Sequence, residues 1–116
     1  MPKKPESRLQ RKIRAAIEAK FGGWWVKTWG GPFTGAGLPD LRGYINGRPF
    51  ELEVKVPKKG RLSSAQIRTI LELREHGVAA DVVESIDEAL EVVGWFIQAL
   101  AKVTPESRHF IWSKED

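Results

Sequence analysis

The chain has 116 residues, enough for one hydrophobic core and too few for two. A hydrophobic fraction of 41% and a charged fraction of 29% are those of a folded globular domain and exclude disorder by composition, the ends aside. With no cysteine, disulfides, thiolate metal sites and a cysteine nucleophile are excluded, and a reducing compartment fits. Lys and Arg outnumber Asp and Glu by 19 to 15, a net charge of +4, which favours a polyanionic partner. The placement says more than the sum. Lys3, Lys4, Arg8, Arg11, Lys12 and Arg14 crowd one segment, and Lys55, Lys58, Lys59 and Arg61 crowd another. Two such clusters can grip a phosphate backbone, and solvated surface charge is the competing reading. No apolar stretch follows Met1, so no signal peptide is expected. The longest apolar run, Val92 to Ala101, is interrupted by Gly94 and Gln98 and is too short for a bilayer. A cytoplasmic protein with no membrane partner is expected.

From Glu6 to Phe21 the apolar residues Leu9, Ile13, Ala16, Ile17 and Phe21 recur at helical spacing, and Gly22-Gly23 ends the helix. Trp24 to Trp29 is aromatic and β-branched and predicts a strand. Residues 30–37 form a loop of breakers without the Gly-Lys-Ser/Thr of a phosphate-binding loop. Two strands follow, Asp40–Ile45 and Pro49–Val56, joined by Asn46-Gly47, the preferred pair for a type I′ hairpin turn. A basic loop, Pro57 to Leu62, leads to Ser63, which caps a helix that runs to His76 and stops at Gly77. Val78 to Glu84 predicts a strand. Ser85 with Glu88 predicts a capping box opening a last helix to about Lys102. The fold class is therefore α/β, a mixed central sheet flanked by helices in the order α-β-β-β-α-β-α. Residues 1–104 form the single domain and 105–116 a tail.

On the strand Pro49–Val56 the side chains alternate. Leu52, Val54 and Val56 point to a core, and Glu51, Glu53 and Lys55 point the other way. Such alternation alone fits surface salt bridging. Asp40 changes the balance, because it begins the partner strand and a hairpin brings the two strands within about 5 Å. Asp40 and Glu53 then project toward one point. Two close carboxylates repel unless a cation lies between them. A hard divalent cation with oxygen ligands is the natural occupant. Lys55 lies beside it, where an ammonium can orient water or stabilise charge on a phosphate.

Gly37-Leu38-Pro39-Asp40, Glu53-Val54-Lys55 and Gly60-Arg61-Leu62-Ser63-Ser64-Ala65-Gln66 together resemble the VRR-NUC branch of the PD-(D/E)XK nuclease superfamily, in the order Gly-x-Pro-Asp, Glu-x-Lys and Ser-x-x-Gln. The resemblance covers roughly residues 6 to 90. It implies a restriction-endonuclease-like core with Asp40 and Glu53 as metal ligands, the Val54 backbone carbonyl as a third, and Lys55 as the catalytic lysine. It also implies a glutamate on the first helix. Of two candidates, Glu6 falls on the side of Leu9, Ile13 and Ala16, whereas Glu18 falls nearly opposite Leu9, at about 100° per residue. Glu6 is chosen, although an acidic residue in a first helical turn is also favoured by the macrodipole. Gln66 is implied as a support of the site, and Ser63-x-x-Gln66 is equally a capping box.

The resemblance thus implies a Mg²⁺-dependent DNA endonuclease, with Mn²⁺ as substitute, in a bacterial or phage-infected cell. Branched or structured DNA such as four-way junctions or flaps is the expected substrate. Arg8, Lys12, Lys27, Lys58, Lys59 and Arg61 are the candidate phosphate contacts, with Thr34 and Arg42 within reach. Glu51 is expected to be a solvated charge or a further site carboxylate. His76 is expected as a helix C-terminal cation, and His109 lies far from any motif. Most of the tryptophans, Trp24, Trp25, Trp29, Trp95 and Trp112, are expected in the core or at a subunit contact. Trp95-Phe96 suggests surplus apolar surface and hence a homodimer. The alternatives are a non-catalytic DNA-binding module that keeps the fold, a structural subunit of a larger complex, and a nickase or restriction-type endonuclease. The intact Asp40, Glu53 and Lys55 speak against the first of these.

Overall fold

A computed structural model describes residues 5–28, 38–57 and 61–99. Over them the elements run α1 (Pro5–Phe21), β1 (Trp24–Lys27), β2 (Leu41–Ile45), β3 (Arg48–Val54), α2 (Ser64–Glu75), β4 (Ala79–Val83) and α3 (Ile86–Gln98), the order expected from the sequence. Trp29, the loop 30–37, Thr34, Lys3, Lys4, Lys58, Lys59, His109, Trp112 and the tail lie outside the described residues.

The sheet has the order β1-β2-β3-β4. The first three strands form an antiparallel meander and β4 joins β3 in parallel. A parallel neighbour needs a crossover, and α2 supplies it. Asn46 and Gly47 turn the β2–β3 hairpin with φ of 51° and 80°, the left-handed pair that their identities predict. Gly43 has a different cause: a Cβ there would fall 2.2 Å from the Trp25 ring, so the indole lies flat on β2 only because position 43 is bare. Strand ends fall short of the sequence pattern. β1 stops at Lys27 and β3 at Val54.

The two sheet faces carry different layers. Ile13 and Ile17 of α1 and Ala89, Val92, Val93 and Phe96 of α3 pack with Trp25, Leu41, Ile45, Phe50, Leu52, Val54, Ala79 and Val83 in the main core. On the other face Ile70 of α2 covers Ala80 and Val82. The switch from residues 79 and 83 to residues 80 and 82 is the strand alternation itself.

Four expectations are corrected here. β3 has no solvated face, because it is a central strand and α2 reaches its second side at Glu53 through Gln66. Glu51 and Glu53 are 7% and 2% exposed, so Glu51 is not a solvated charge. The capping box of α3 is only half formed: Ser85 Oγ accepts from Glu88 N–H at 3.0 Å, but Glu88 Oε1 accepts from Glu84 N–H at 2.6 Å. α3 ends at Gln98, before Lys102, where Arg48 Nη1 donates to the carbonyls of Phe96 (2.7 Å) and Ala99 (3.0 Å). The Trp95-Phe96 pair is not a surface pair, since Phe96 is buried in the main core and only Trp95 is exposed. Among the described residues no helix is long and apolar enough to cross a membrane.

Candidate active site

The site forms where β2 begins and β3 ends. In the hairpin register Leu41 opposes Leu52, so the next positions outward, Asp40 and Glu53, meet. Asp40 lies one residue before the strand and bends toward β3. Its Oδ2 accepts the Val54 N–H at 2.8 Å, a ladder position with no strand residue opposite. A strand residue turns its N–H and C=O to the same side, so the Val54 carbonyl faces Asp40 as well. Thr28, at the end of β1, fixes the approach. Its N–H donates to the Asp40 carbonyl at 2.8 Å and its hydroxyl donates to the Pro39 carbonyl.

Glu53 is held on one oxygen and bare on the other. Oε2 accepts from Gln66 Nε2 at 2.9 Å and lies 3.4 Å from Lys55 Nζ. Oε1 is buried with no hydrogen-bond donor. Burial first, and then the Asp40 charge, push the Glu53 carboxyl up to about 8 against the pull of Lys55. Burial also raises Asp40, opposed by the Val54 N–H, the Glu53 carboxyl and the Lys55 and Lys27 charges. The pair therefore holds a proton near neutral pH in the absence of any other cation. One proton between two buried carboxylates marks a place where a divalent cation fits: it would neutralise both and fill the vacant oxygen of Glu53.

Gln66 serves two partners at once. Its Oε1 accepts from the Ser63 N–H at 2.9 Å and its N–H donates to Ser63 Oγ at 3.1 Å, which completes the capping box. Its Nε2 is left for Glu53. The capping and site readings thus coexist in one amide.

The remaining predicted residues divide. Lys27 is close enough for its charge to act on Asp40. Arg8 and Lys12 are exposed on α1, and Arg61 is exposed before α2. Glu6 is half-buried in the first turn of α1, whose inward residues pack on the opposite sheet face from Glu53. Among the described residues no three Asp, Glu, His or Cys side chains cluster as a metal site, so Glu6 is not brought to Asp40 and Glu53. Arg42 is drawn to Glu51, Nε to Oε2 at 3.2 Å. His76 caps α2, its Nδ1 2.9 Å from the Glu72 carbonyl oxygen.

Two features escaped the sequence reading. Thr28 is one; nothing in its local sequence marks it as an anchor for Pro39-Asp40. Arg74 and Asp81 are the other, a fully buried ion pair at 3.3 Å. Their signal was present: Arg74 shares the Ile70 helical face, and Asp81 is a lone charge within Ala-Ala-Asp-Val-Val.

No sequence profile of a known family matches the chain, and no curated protein matches it. Solved structures do. The chain is similar to a structure described as "VRR_NUC domain" with a TM-score of 0.64 and 26% identity, covering 77% of this chain and 94% of that one. A second, described as "VRR_NUC domain protein", has a TM-score of 0.64 and 21% identity, covering 84% of this chain and 92% of that one. The chain has the fold of a VRR-NUC domain. In this nuclease-like fold the Asp40–Glu53 pair sits at the open end of the β2–β3 hairpin, with Lys55 and Gln66 beside it.

Proposed function

We propose that this protein is a divalent-metal-dependent endonuclease that hydrolyses phosphodiester bonds in branched or structured DNA. The observation that carries the reading is the buried, donorless Oε1 of Glu53 beside Asp40. Asp40, Glu53 and the Val54 carbonyl are the ligands for Mg²⁺, with Mn²⁺ as substitute. When bound, the ion neutralises charge on the phosphate and the leaving oxygen and lowers the pKa of water. Lys55 holds its ammonium at the mouth of the site, where it orients water for attack on phosphorus and stabilises the added negative charge. Gln66 fixes the Glu53 rotamer through the same oxygen that Lys55 approaches. Water adds to phosphorus and the bond to the leaving sugar oxygen breaks; the attacking water's proton passes to solvent, and solvent returns one to the leaving oxygen.

Arg8, Lys12, Lys27 and Arg61 supply phosphate contacts that position a backbone without reading sequence. Every described element belongs to the sheet-and-helix core, so none is spare to enter a groove and read base edges. We infer that the protein recognises the shape of its substrate rather than its base sequence. Four-way junctions and flaps have such shapes, and a homodimer with two sites can cut two strands symmetrically.

The test is cleavage of supercoiled plasmid, linear duplex, flap and four-way junction in Mg²⁺, Mn²⁺ or EDTA, with Lys55→Ala alongside. Cutting that needs metal and is lost in Lys55→Ala sustains the nuclease. Preference for plasmid or linear duplex points to a nickase or restriction-type enzyme. Wild-type protein that binds DNA but cuts none of these substrates leaves a non-catalytic binding module.

A further inference from the structure

A second feature adjoins the carboxylates on the part of the sheet face that lies over β1 and β2. Alternation along β2 puts Tyr44, Arg42 and Asp40 in one row on this face. Trp24 opposes Tyr44 in the β1–β2 ladder, and the two rings lie 6.2 Å apart at 33°. Trp24 is 61% exposed and Tyr44 43%, whereas Trp25, on the core side of the same strand, is 1% exposed. Trp24 is the most exposed large apolar side chain among the described residues. The fold does not require it: the core closes on the opposite face without it.

The row has a scale. Tyr44 is four residues from Asp40, roughly 13–14 Å at the strand rise, with Arg42 midway. The Arg42 side chain is 42% exposed, and its bond to Glu51 through Nε uses one of five donors. From the carboxylates outward the face therefore presents a cation, then an aromatic platform. That sequence of groups matches a nucleic-acid strand running away from its cut, where phosphates alternate with flat bases. An apolar protein partner seated on Trp24 and Tyr44 would also meet the guanidinium of Arg42, whose side chain is exposed beside the two rings.

We propose that Trp24 and Tyr44 stack unpaired bases of the strand being cut, with Arg42 on the phosphate between. The assignment rests on the nuclease reading and narrows its substrate. At about 3.4 Å per stacked nucleotide the platform engages up to roughly four nucleotides from the cut, and fewer of an extended strand. Bases within a duplex are already stacked and offer edges rather than faces. An exposed ring pair is thus of use only at a flap, a splayed end or a junction.

Two measurements test this with Trp24→Ala/Tyr44→Ala, Trp24→Phe and, as a control on α3, Trp95→Ala. One is cleavage in Mg²⁺ of a paired duplex against the same duplex with an unpaired arm. The other is anisotropy with both DNAs in Ca²⁺. The preference for the armed DNA should fall roughly 10–100-fold in the double variant, survive mostly in Trp24→Phe and stay unchanged in Trp95→Ala. A double variant that keeps the preference within about two-fold overturns the platform. If its mass by light scattering or its stability changes while DNA preference does not, the pair instead contacts a second copy or residues 100–116, and the platform is again overturned. Should wild-type protein cut no DNA with any metal, the nuclease reading fails and anisotropy alone decides. Selective loss of armed-DNA binding in the double variant then sustains the platform, and wild-type protein that does not discriminate the arm overturns it.

Discussion

The helix α2 touches two buried ionic clusters, one near each end, and they are built on opposite principles. Near its C-terminus Arg74 meets Asp81, both wholly buried, at 3.3 Å. Lys55 N–H donates to the Val83 carbonyl, so residue 83 faces β3 and the alternate residues 80 and 82 turn outward. Arg74 Nε donates to the Ala80 carbonyl at 2.8 Å, and Asp81 Oδ1 accepts the Val82 N–H at 2.7 Å. Among the described residues β4 is the outer strand, and the pair covers its free side while neutralising itself, a way of protecting an edge strand. Both oxygens of Asp81 are satisfied. At the other end Gln66 and Lys55 share a single oxygen of Glu53, the second oxygen has no donor, and a second carboxylate stands beside it. Burial is common to both clusters; what separates them is whether charge and hydrogen bonds close within the protein. Where they do, the cluster is architecture. Where they fall short by about one positive charge, the fold carries the open cluster at a cost in stability, and the proposed metal is what would close it.

The largest expected effect breaks the closed cluster. Arg74→Ala leaves Asp81 buried without its cation and uncovers the β4 edge, and should cost about 3–5 kcal/mol in urea unfolding. A loss under about 1 kcal/mol would mean the pair is no more than a solvated surface bridge, and the contrast would collapse.

The open cluster should respond with the opposite sign. Glu53→Gln removes a buried charge, keeps an oxygen for Gln66 and gains an amide that can donate to Asp40. The metal-free protein should gain about 1–3 kcal/mol at pH 8, while metal-dependent cleavage falls by roughly 10²–10⁴. The pH dependence sharpens the point. The folded metal-free protein keeps a proton on Glu53 up to about 8, whereas the unfolded chain releases it near the ordinary value of 4.5. Folded protein thus binds more protons between those values, and stability from this group is full below about pH 4.5 and lost as pH rises through 8. Melting temperature should fall by roughly 5–10 °C from pH 5 to pH 8, recover with Mg²⁺, and change little in Glu53→Gln. A wild-type slope equal to that of the variant would remove Glu53 as its cause.

Those contrasts also mark what the sequence made legible. That Asp40, Glu53 and Lys55 come together was readable because strand alternation and an Asn-Gly turn set the register of two adjacent strands, and register decides which side chains meet. Element order followed from the same local signals. Glu51 was misread because periodicity along β3 gives the side a residue points to and not what lies over it; Gln66 of α2, twelve residues on from the end of β3 at Val54, meets that side at Glu53. Glu6 illustrates the same limit, since helical phase fixes direction around α1 but not the sheet face against which the helix packs. The Arg74–Asp81 pair depends on β4 being an edge, a property of strand order that no local pattern carries.

The smallest effect separates the two duties of Gln66, which no single-role reading of the residue predicts. Gln66→Glu keeps an acceptor for the Ser63 N–H and so keeps the capping box, but replaces the donor to Glu53 with a third carboxylate. Gln66→Ala loses the reciprocal acceptor and the donor together, yet brings no new charge to Glu53. Gln66→Glu should therefore hold helix stability within about 0.5 kcal/mol where it is measured at saturating Mg²⁺, because the cap is intact. It should still lower cleavage by roughly ten-fold or more, because Glu53 is no longer oriented. Gln66→Ala should lose about 1 kcal/mol with the cap and a smaller share of activity, since Lys55 still holds the Glu53 oxygen. Equal activity in the two variants would mean that the amide's bond to Glu53 is incidental to its cap, and that the open cluster is set by Lys55 and Asp40 alone.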